Sequence, residues 1–192
     1  MTPRFKLYTL LAVALAYAIL RYPVLGDTPW ANVPLFVLNK ALSWAGLVVF
    51  GMSLVSREKA LRRYYGVRAT ALLAVHILLS LLVLNPAYFP RFYAETGRLT
   101  ATAELSMLAG VLGATLLGGL FYLNGQGQKA AGRSLRAGWG RAILWCGALH
   151  VAAMGYAVWL APETWPGYLP PISLLSLVAA AWYLHRRSRQ AA

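Results

Sequence analysis

Acidic residues are scarce in this chain. Of 192 residues only 5 are Asp or Glu, and charged residues of both signs make up 12%, about half the share usual in soluble domains. Hydrophobic residues reach 59%, against about 45–50% in a soluble domain. So little polar surface cannot cover a soluble core of this size, which excludes most soluble enzymes. Cysteine is nearly absent as well. The lone Cys146 excludes an internal disulfide, a Cys-x-x-Cys redox pair and a thiolate zinc site. No Gly-x-Gly-x-x-Gly opens a helix, so neither NAD(P)H nor flavin has a recognisable binding motif here. No low-complexity tract, soluble domain or internal repeat is visible, and the missing repeat argues against a transporter built from matching halves.

Positive charge and apolar runs are what the sequence does contain. The 18 Lys and Arg give a net charge of +13, which by itself would suggest nucleic acid. A nucleic-acid binder gathers its bases on one polar face; here they fall in short clusters between long apolar runs, so the partner is a lipid bilayer. Six such runs lie at about 8–20, 33–55, 65–84, 100–123, 142–160 and 172–184. A membrane helix needs roughly 20 predominantly apolar residues. The runs predict an all-α integral membrane protein, a six-helix transmembrane bundle. Residues 1–192 form a single domain with spans at about 5–22, 33–55, 65–86, 100–123, 140–160 and 169–185. Arg4 and Lys6 before the first run look like the start of a signal peptide. Arg21-Tyr22-Pro23 follows it in place of a small-x-small cleavage site, so a retained helix is expected.

Orientation follows from Lys and Arg placement. One set of helix ends carries Arg4, Lys6, Arg57, Lys59, Arg62, Arg63, Arg68, Lys129, Arg133, Arg136, Arg141, Arg186, Arg187 and Arg189. The opposite ends carry only Arg21, Arg91 and Arg98, together with prolines and an aromatic belt that includes Trp30, Tyr88, Phe89, Phe92, Trp165 and Tyr168. The positive-inside rule then puts both termini in the cytoplasm, in a multi-pass protein of the cell inner (plasma) membrane.

Polar side chains within the apolar runs are costly, and such residues tend to be functional. His185 adjoins Arg186 and Arg187 and reads as an interfacial side chain. His76 and His150 are different. The first lies eight residues after Arg68 and the second nine after Arg141. At about 1.5 Å per residue both sit some 12–14 Å above the basic charge line, on helices that run in the same direction. Two neutral imidazoles at one depth are what a six-coordinate haem iron needs, one axial nitrogen from each side. A bare zinc or copper ion wants a third ligand, and only Cys146, one turn before His150, is near. A second reading stands beside this one, in which each histidine merely hydrogen-bonds within the bundle. Gly147 and Ala148 leave room beside His150, and Leu72, Leu73 and Leu79 make the surroundings of His76 apolar. Gly110, Gly113, Gly118 and Gly119 either admit a flat ring to the fourth helix or form ordinary helix-packing surface.

Arg62-Arg63-Tyr64-Tyr65-Gly66, nine further residues and then His76 resemble the opening of the third helix in the ferric-reductase-like transmembrane family. That family includes the haem-binding membrane subunit of the periplasmic methionine-sulfoxide reductase system. Leu38-Asn39-Lys40-Ala41-Leu42 through Ser56-Arg57 is similar to the family's second helix. The resemblance covers the second to fourth helices best. It implies one b-type haem per chain, non-covalently held by His76 and His150. Ile143 stands where many members carry a further histidine, so a second haem is not implied. It also implies electrons arriving from a cytosolic flavin reductase or quinol, and leaving to an extracytoplasmic redox partner or small acceptor. Quinone or flavin would then belong to a partner.

Lys40 and Glu104, inside the outer ends of the second and fourth helices, either snorkel to the interface or pair, contact a haem propionate or line a quinone or acceptor site. Two function classes follow. One is a haem b electron-transfer component of an oxidoreductase system, with His76 and His150 as iron ligands and Gly147 and Lys40 beside the cofactor. The other is a non-redox membrane protein, a small-solute transporter or assembly factor, with structural histidines or histidines that relay protons. The topology is directly testable. Reporter fusions after Ser188 or within Gln126–Arg136 should report cytoplasm and a fusion within Tyr88–Gly97 the outside; an outer carboxy terminus would reverse the bundle or change the number of spans.

Overall fold

The structure is a computed structural model that describes residues 1–125 and 131–189, and the side chains of all of these except 124, 125 and 131–137. Lys129 therefore lies outside the described residues, as do the side chains of Arg133 and Arg136. Six α-helices make up the described chain: α1 (Pro3–Ile19), α2 (Leu38–Val55), α3 (Lys59–Val83), α4 (Ala101–Gly125), α5 (Ala131–Trp159) and α6 (Ile172–Arg189). Each is part of a segment long and apolar enough to cross a membrane. This is a multi-pass membrane protein, all-α as expected. A single antiparallel bridge, Tyr93 to Leu99, closes the long connection between α3 and α4.

Helix ends depart from the apolar runs in ways the local chemistry explains. Thr2 caps α1 by accepting from the Phe5 amide, and Pro3 occupies the first turn, where its missing N–H costs nothing. α3 starts at Lys59 rather than near residue 65, and α6 runs on to Arg189. Lys, Arg and Ala are good helix formers, so the helix does not stop where the hydrocarbon does. Prolines at the opposite end loosen the coil instead. Leu20–Val24, which contains Pro23, and Val33–Val37, which contains Pro34, are π-helical, with the Leu25 amide reaching back to the Leu20 carbonyl.

α2 is the central element. It packs along α1, α3 and α6, while α5 packs along α4 and α6. Small residues allow these approaches. A methyl on Gly46 would stand 2.9 Å from a Leu73 methyl, and one on Gly140 2.6 Å from Leu54. The side chain of Tyr183, on α6, lies directly against the Gly51 backbone, with no space for even a methyl group. α3 and α4, joined by a long connection, barely touch. The gap between them is where the site lies.

Arg21 anchors the proline-rich end. It is 5% exposed, and its Nε donates to the carbonyls of Leu169 and Pro170 at 3.2 and 3.1 Å. Tyr17 donates its hydroxyl to the same Pro170 carbonyl at 2.7 Å. The end of the first span is thereby tied to the connection between α5 and α6. The close fit of Gly51 yields a test. Gly51→Ala should overpack the α2–α6 contact and cost about 1–3 kcal/mol, read as a lower melting temperature in detergent. Gly118→Ala, where an added methyl meets nothing within 4 Å, should be neutral or slightly stabilising. Equal melting temperatures for the two variants would contradict the packing described.

Candidate functional site

His76 and His150 line one cavity. Its walls come from α3 (Leu73, Ile77, Leu81), α4 (Met107, Gly110, Val111, Gly113, Leu117) and α5 (Ile143, Gly147, Val151), with Ser43 and Leu47 of α2 and Ser176 of α6 behind them. The volume is about 180 Å³, room for about six waters at about 30 Å³ each, more than a bare ion needs. Leu81 and Val111, both on the cavity wall, are also exposed, so the cleft opens sideways between α3 and α4 toward the acyl chains.

Each imidazole is held by its Nδ1. On α5, His150 Nδ1 lies 2.9 Å from the Ser106 backbone carbonyl of α4. A carbonyl only accepts, so Nδ1 carries the hydrogen. Ser106, fully buried, returns a bond from its hydroxyl to the His150 carbonyl at 3.1 Å. Gly110, one turn along α4, makes this approach possible: a methyl there would stand 3.2 Å from His150 Nδ1. On α3, His76 Nδ1 contacts the Asn39 carboxamide oxygen. The Asn39 Nδ2 donates to Ser80 Oγ at 3.1 Å, which turns Oδ1 toward the ring as an acceptor. His76 is therefore also the Nδ1–H tautomer. Neither Nε2 has a hydrogen-bond partner among the described residues, so each ring keeps a free lone pair while its orientation is fixed from behind. Metal-ligating histidines are held in this manner, the second nitrogen donating to a carbonyl or carboxylate.

Other donors stay apart. Cys146 is half-buried and packs its Cβ toward Gly113 of α4, not among the cavity residues. Among the described residues no three of His, Cys, Asp and Glu gather in one place. Two imidazoles suit an iron whose remaining positions are filled by a macrocycle. Ser176 adds a further polar group. It is 1% exposed, its Oγ has no hydrogen-bond partner among the described residues, and it lines the same cavity. Two imidazole nitrogens and one hydroxyl without partners among the described residues thus line one apolar cavity, a donor set whose chemistry suits haem iron.

The remaining expected site residues fall as follows. Gly147 is on the cavity wall and brings Leu47 against the α5 backbone, where a methyl would stand 2.8 Å from the leucine. Ala148 is buried in the helix-packing core, and Leu72 packs at its edge. Of the four α4 glycines, Gly110 and Gly113 line the cavity, Gly119 receives the Trp139 ring, and Gly118 faces open space. Lys40 is outside the cavity wall. Its ammonium lies over the Phe36 and Phe89 rings at 5.1 and 4.6 Å and 3.7 Å from Met154 Sδ, one turn beyond His150 toward the proline-rich end. Glu104 is exposed and makes no ion pair with it. His185 is exposed near the end of α6, far along that helix from Ser176.

Asn39, Ser80 and Ser106 were not singled out by sequence reasoning. Asn39 carried a signal, since an uncharged but strongly polar side chain within a membrane helix needs a partner. Ser106 carried none, because the group that matters is its backbone carbonyl. No family model and no curated protein matches the chain.

The geometry predicts unequal roles for these partners. Asn39→Leu removes the close acceptor of the His76 Nδ1–H, leaving only the Ser80 hydroxyl 3.4 Å away, and should cost about 1–3 kcal/mol. Ser106→Ala spares the carbonyl that holds His150 and should cost less. Adding His76→Leu to Asn39→Leu should cost less than the sum of the single changes, because donor and acceptor then leave together. Denaturation in detergent measures all three, and strict additivity would contradict the His76–Asn39 bond.

Proposed function

We propose that this chain is a haem b-binding electron-transfer protein of the plasma membrane, a member of the ferric-reductase-like transmembrane family with one haem per chain. The observation that carries the reading is the pair of imidazoles facing one apolar cavity, each with Nδ1 tied off and Nε2 free. His76 and His150 would hold the haem iron through those nitrogens. When bound, haem b supplies a one-electron carrier within the hydrocarbon.

The chain's own residues set the conditions for that carrier. Asn39 and the Ser106 carbonyl lock the rings in the Nδ1–H tautomer and increase the basicity of Nε2, which favours ligation and the oxidised iron. Leu47, Leu73, Leu117 and Ile143 keep water from the iron. Ile143 fills the inner end of the cavity at the position where relatives with a second histidine on this helix would carry it, in keeping with a single haem. Lys40 and Arg21 put positive charge beyond the site toward the proline-rich end, where a propionate, a quinone headgroup or an anionic acceptor would meet it. On this reading a cytosolic flavin reductase or quinol would be the electron donor, and an extracytoplasmic redox partner or small acceptor would be the recipient. Both ends of the route need a partner, because a midplane haem leaves about half of a ~30 Å core to cross on each side.

The test is spectroscopic. Protein purified from haem-sufficient cells should show a reducible, low-spin b-type spectrum at about one haem per chain, and the haem should extract into acidic acetone, since no Cys-x-x-Cys-His is present. His76→Ala and His150→Ala should each lose or severely deplete it. His185→Ala should retain the full spectrum, and Lys40→Ala should retain the haem with a shifted potential or slower electron transfer. A colourless wild-type preparation overturns the reading, as does loss of the low-spin spectrum in His185→Ala but not in His150→Ala.

A further inference from the structure

At the basic end of the bundle, four arginines line one cleft. Ser56 ends α2 with an extended backbone, and two residues later α3 begins at Lys59. Arg57 projects from this short connection. From the first turn of α3, Arg62 folds back over it, its Nε and Nη2 donating to the Ser56 carbonyl at 3.3 and 3.1 Å. Arg187 and Arg189, from the last turn of α6, complete the lining with Ser56 itself. The cleft is thus built from three separate segments. Among the described residues no carboxylate lines it, and the Glu58 side chain beside it is exposed. Arginine does not deprotonate, so the cleft keeps four positive charges and favours an anion.

Guanidinium groups present paired donors that match the oxygens of phosphate better than those of a single-atom anion. The surroundings point to the depth of lipid headgroups. Trp182, 49% exposed on α6, carries Arg186 over its ring at 5.1 Å, and Tyr64 of α3 carries Arg68 at 4.4 Å. Aromatic rings paired with cations at the ends of membrane helices mark the water–lipid boundary. Below them, exposed Val178 on α6 continues as lipid-facing surface. We propose that the Arg57–Arg62–Arg187–Arg189 cleft binds the phosphate of an anionic phospholipid, clamping the α2–α3 connection to the carboxy-terminal end of α6. The convergence of segments, not the number of basic residues, is the basis: Arg4 and Lys6 lie at the same end of the bundle but outside the cleft.

Delipidated full-length protein in neutral detergent, titrated with phosphatidylglycerol, should show a retained lipid adduct by native mass spectrometry and a raised melting temperature. Phosphatidylcholine should give neither. Arg62→Gln/Arg187→Gln should weaken the phosphatidylglycerol adduct at least tenfold. Arg4→Gln/Lys6→Gln, which removes the same charge elsewhere, should leave it within about twofold. Arg187→Gln alone breaks no hydrogen bond within the described chain, and it should give a several-fold loss with an unchanged gel-filtration profile, which covers the case of a double variant that does not fold. Equal weakening by both double variants overturns the site in favour of diffuse attraction. Protection by inorganic phosphate that matches phosphatidylglycerol overturns the lipid as its source. Displacement of the lipid by low concentrations of polyglutamate would make the cleft a docking surface for an acidic protein and likewise overturns the proposal.

Discussion

Within the hydrocarbon no water is available to satisfy a polar group, so each one must find its partner inside the chain. The paired bonds from His76 to Asn39 and from His150 to the Ser106 carbonyl meet that demand and do more. They consume one nitrogen of each ring and leave the other free. A lone imidazole in the bilayer would turn to whatever acceptor lay nearest; these two are turned from behind, toward a common cavity. The positions of α2 and α4 follow from the same bonds. α2 must hold Asn39 against α3, and α4 must come close enough to α5 for its backbone carbonyl to reach a ring, which Gly110 permits.

The cavity exists because α3 and α4 are neighbours in sequence but hardly in space. Their long connection lets each pack on a different partner, α3 on α2 and α4 on α5. What remains between them is an apolar cleft open toward lipid. Such a gap loses dispersion contacts on both walls, and a bound macrocycle would restore them. The unbonded Ser176 hydroxyl belongs to the same account. Elsewhere in the core small residues close the space, as at Gly51 and Gly140.

Charge is handled differently at the two ends. Toward the prolines, Arg21 and Lys40 are drawn inward without any carboxylate: backbone carbonyls hold Arg21, and aromatic faces with a thioether hold Lys40. At the other end the arginines lie mostly at the surface, with no carboxylate among the described residues lining the cleft they form. The scarcity of acid in the composition shows in both arrangements, since among the described residues cations are met by dipoles, rings and carbonyls.

The sequence by itself determined the class of protein, the number of spans and the two histidines, because hydrophobic run length and the rarity of imidazole within such runs are one-dimensional signals. Their common depth was legible too, since residue count along a helix converts directly to height. The helix ends were less so, as Lys59 and Arg189 show, because helix propensity continues past the bilayer edge. The tertiary structure decided which nitrogen each ring keeps free, that Gly110 rather than Gly118 adjoins a histidine, and that Lys40 meets aromatic rings rather than Glu104. It also brought Arg57 and Arg62 to Arg187 and Arg189, more than a hundred residues away in the chain. Side-chain direction and helix adjacency are set by which faces pack, and in this bundle nearly every face is apolar, so periodicity alone could not distinguish them.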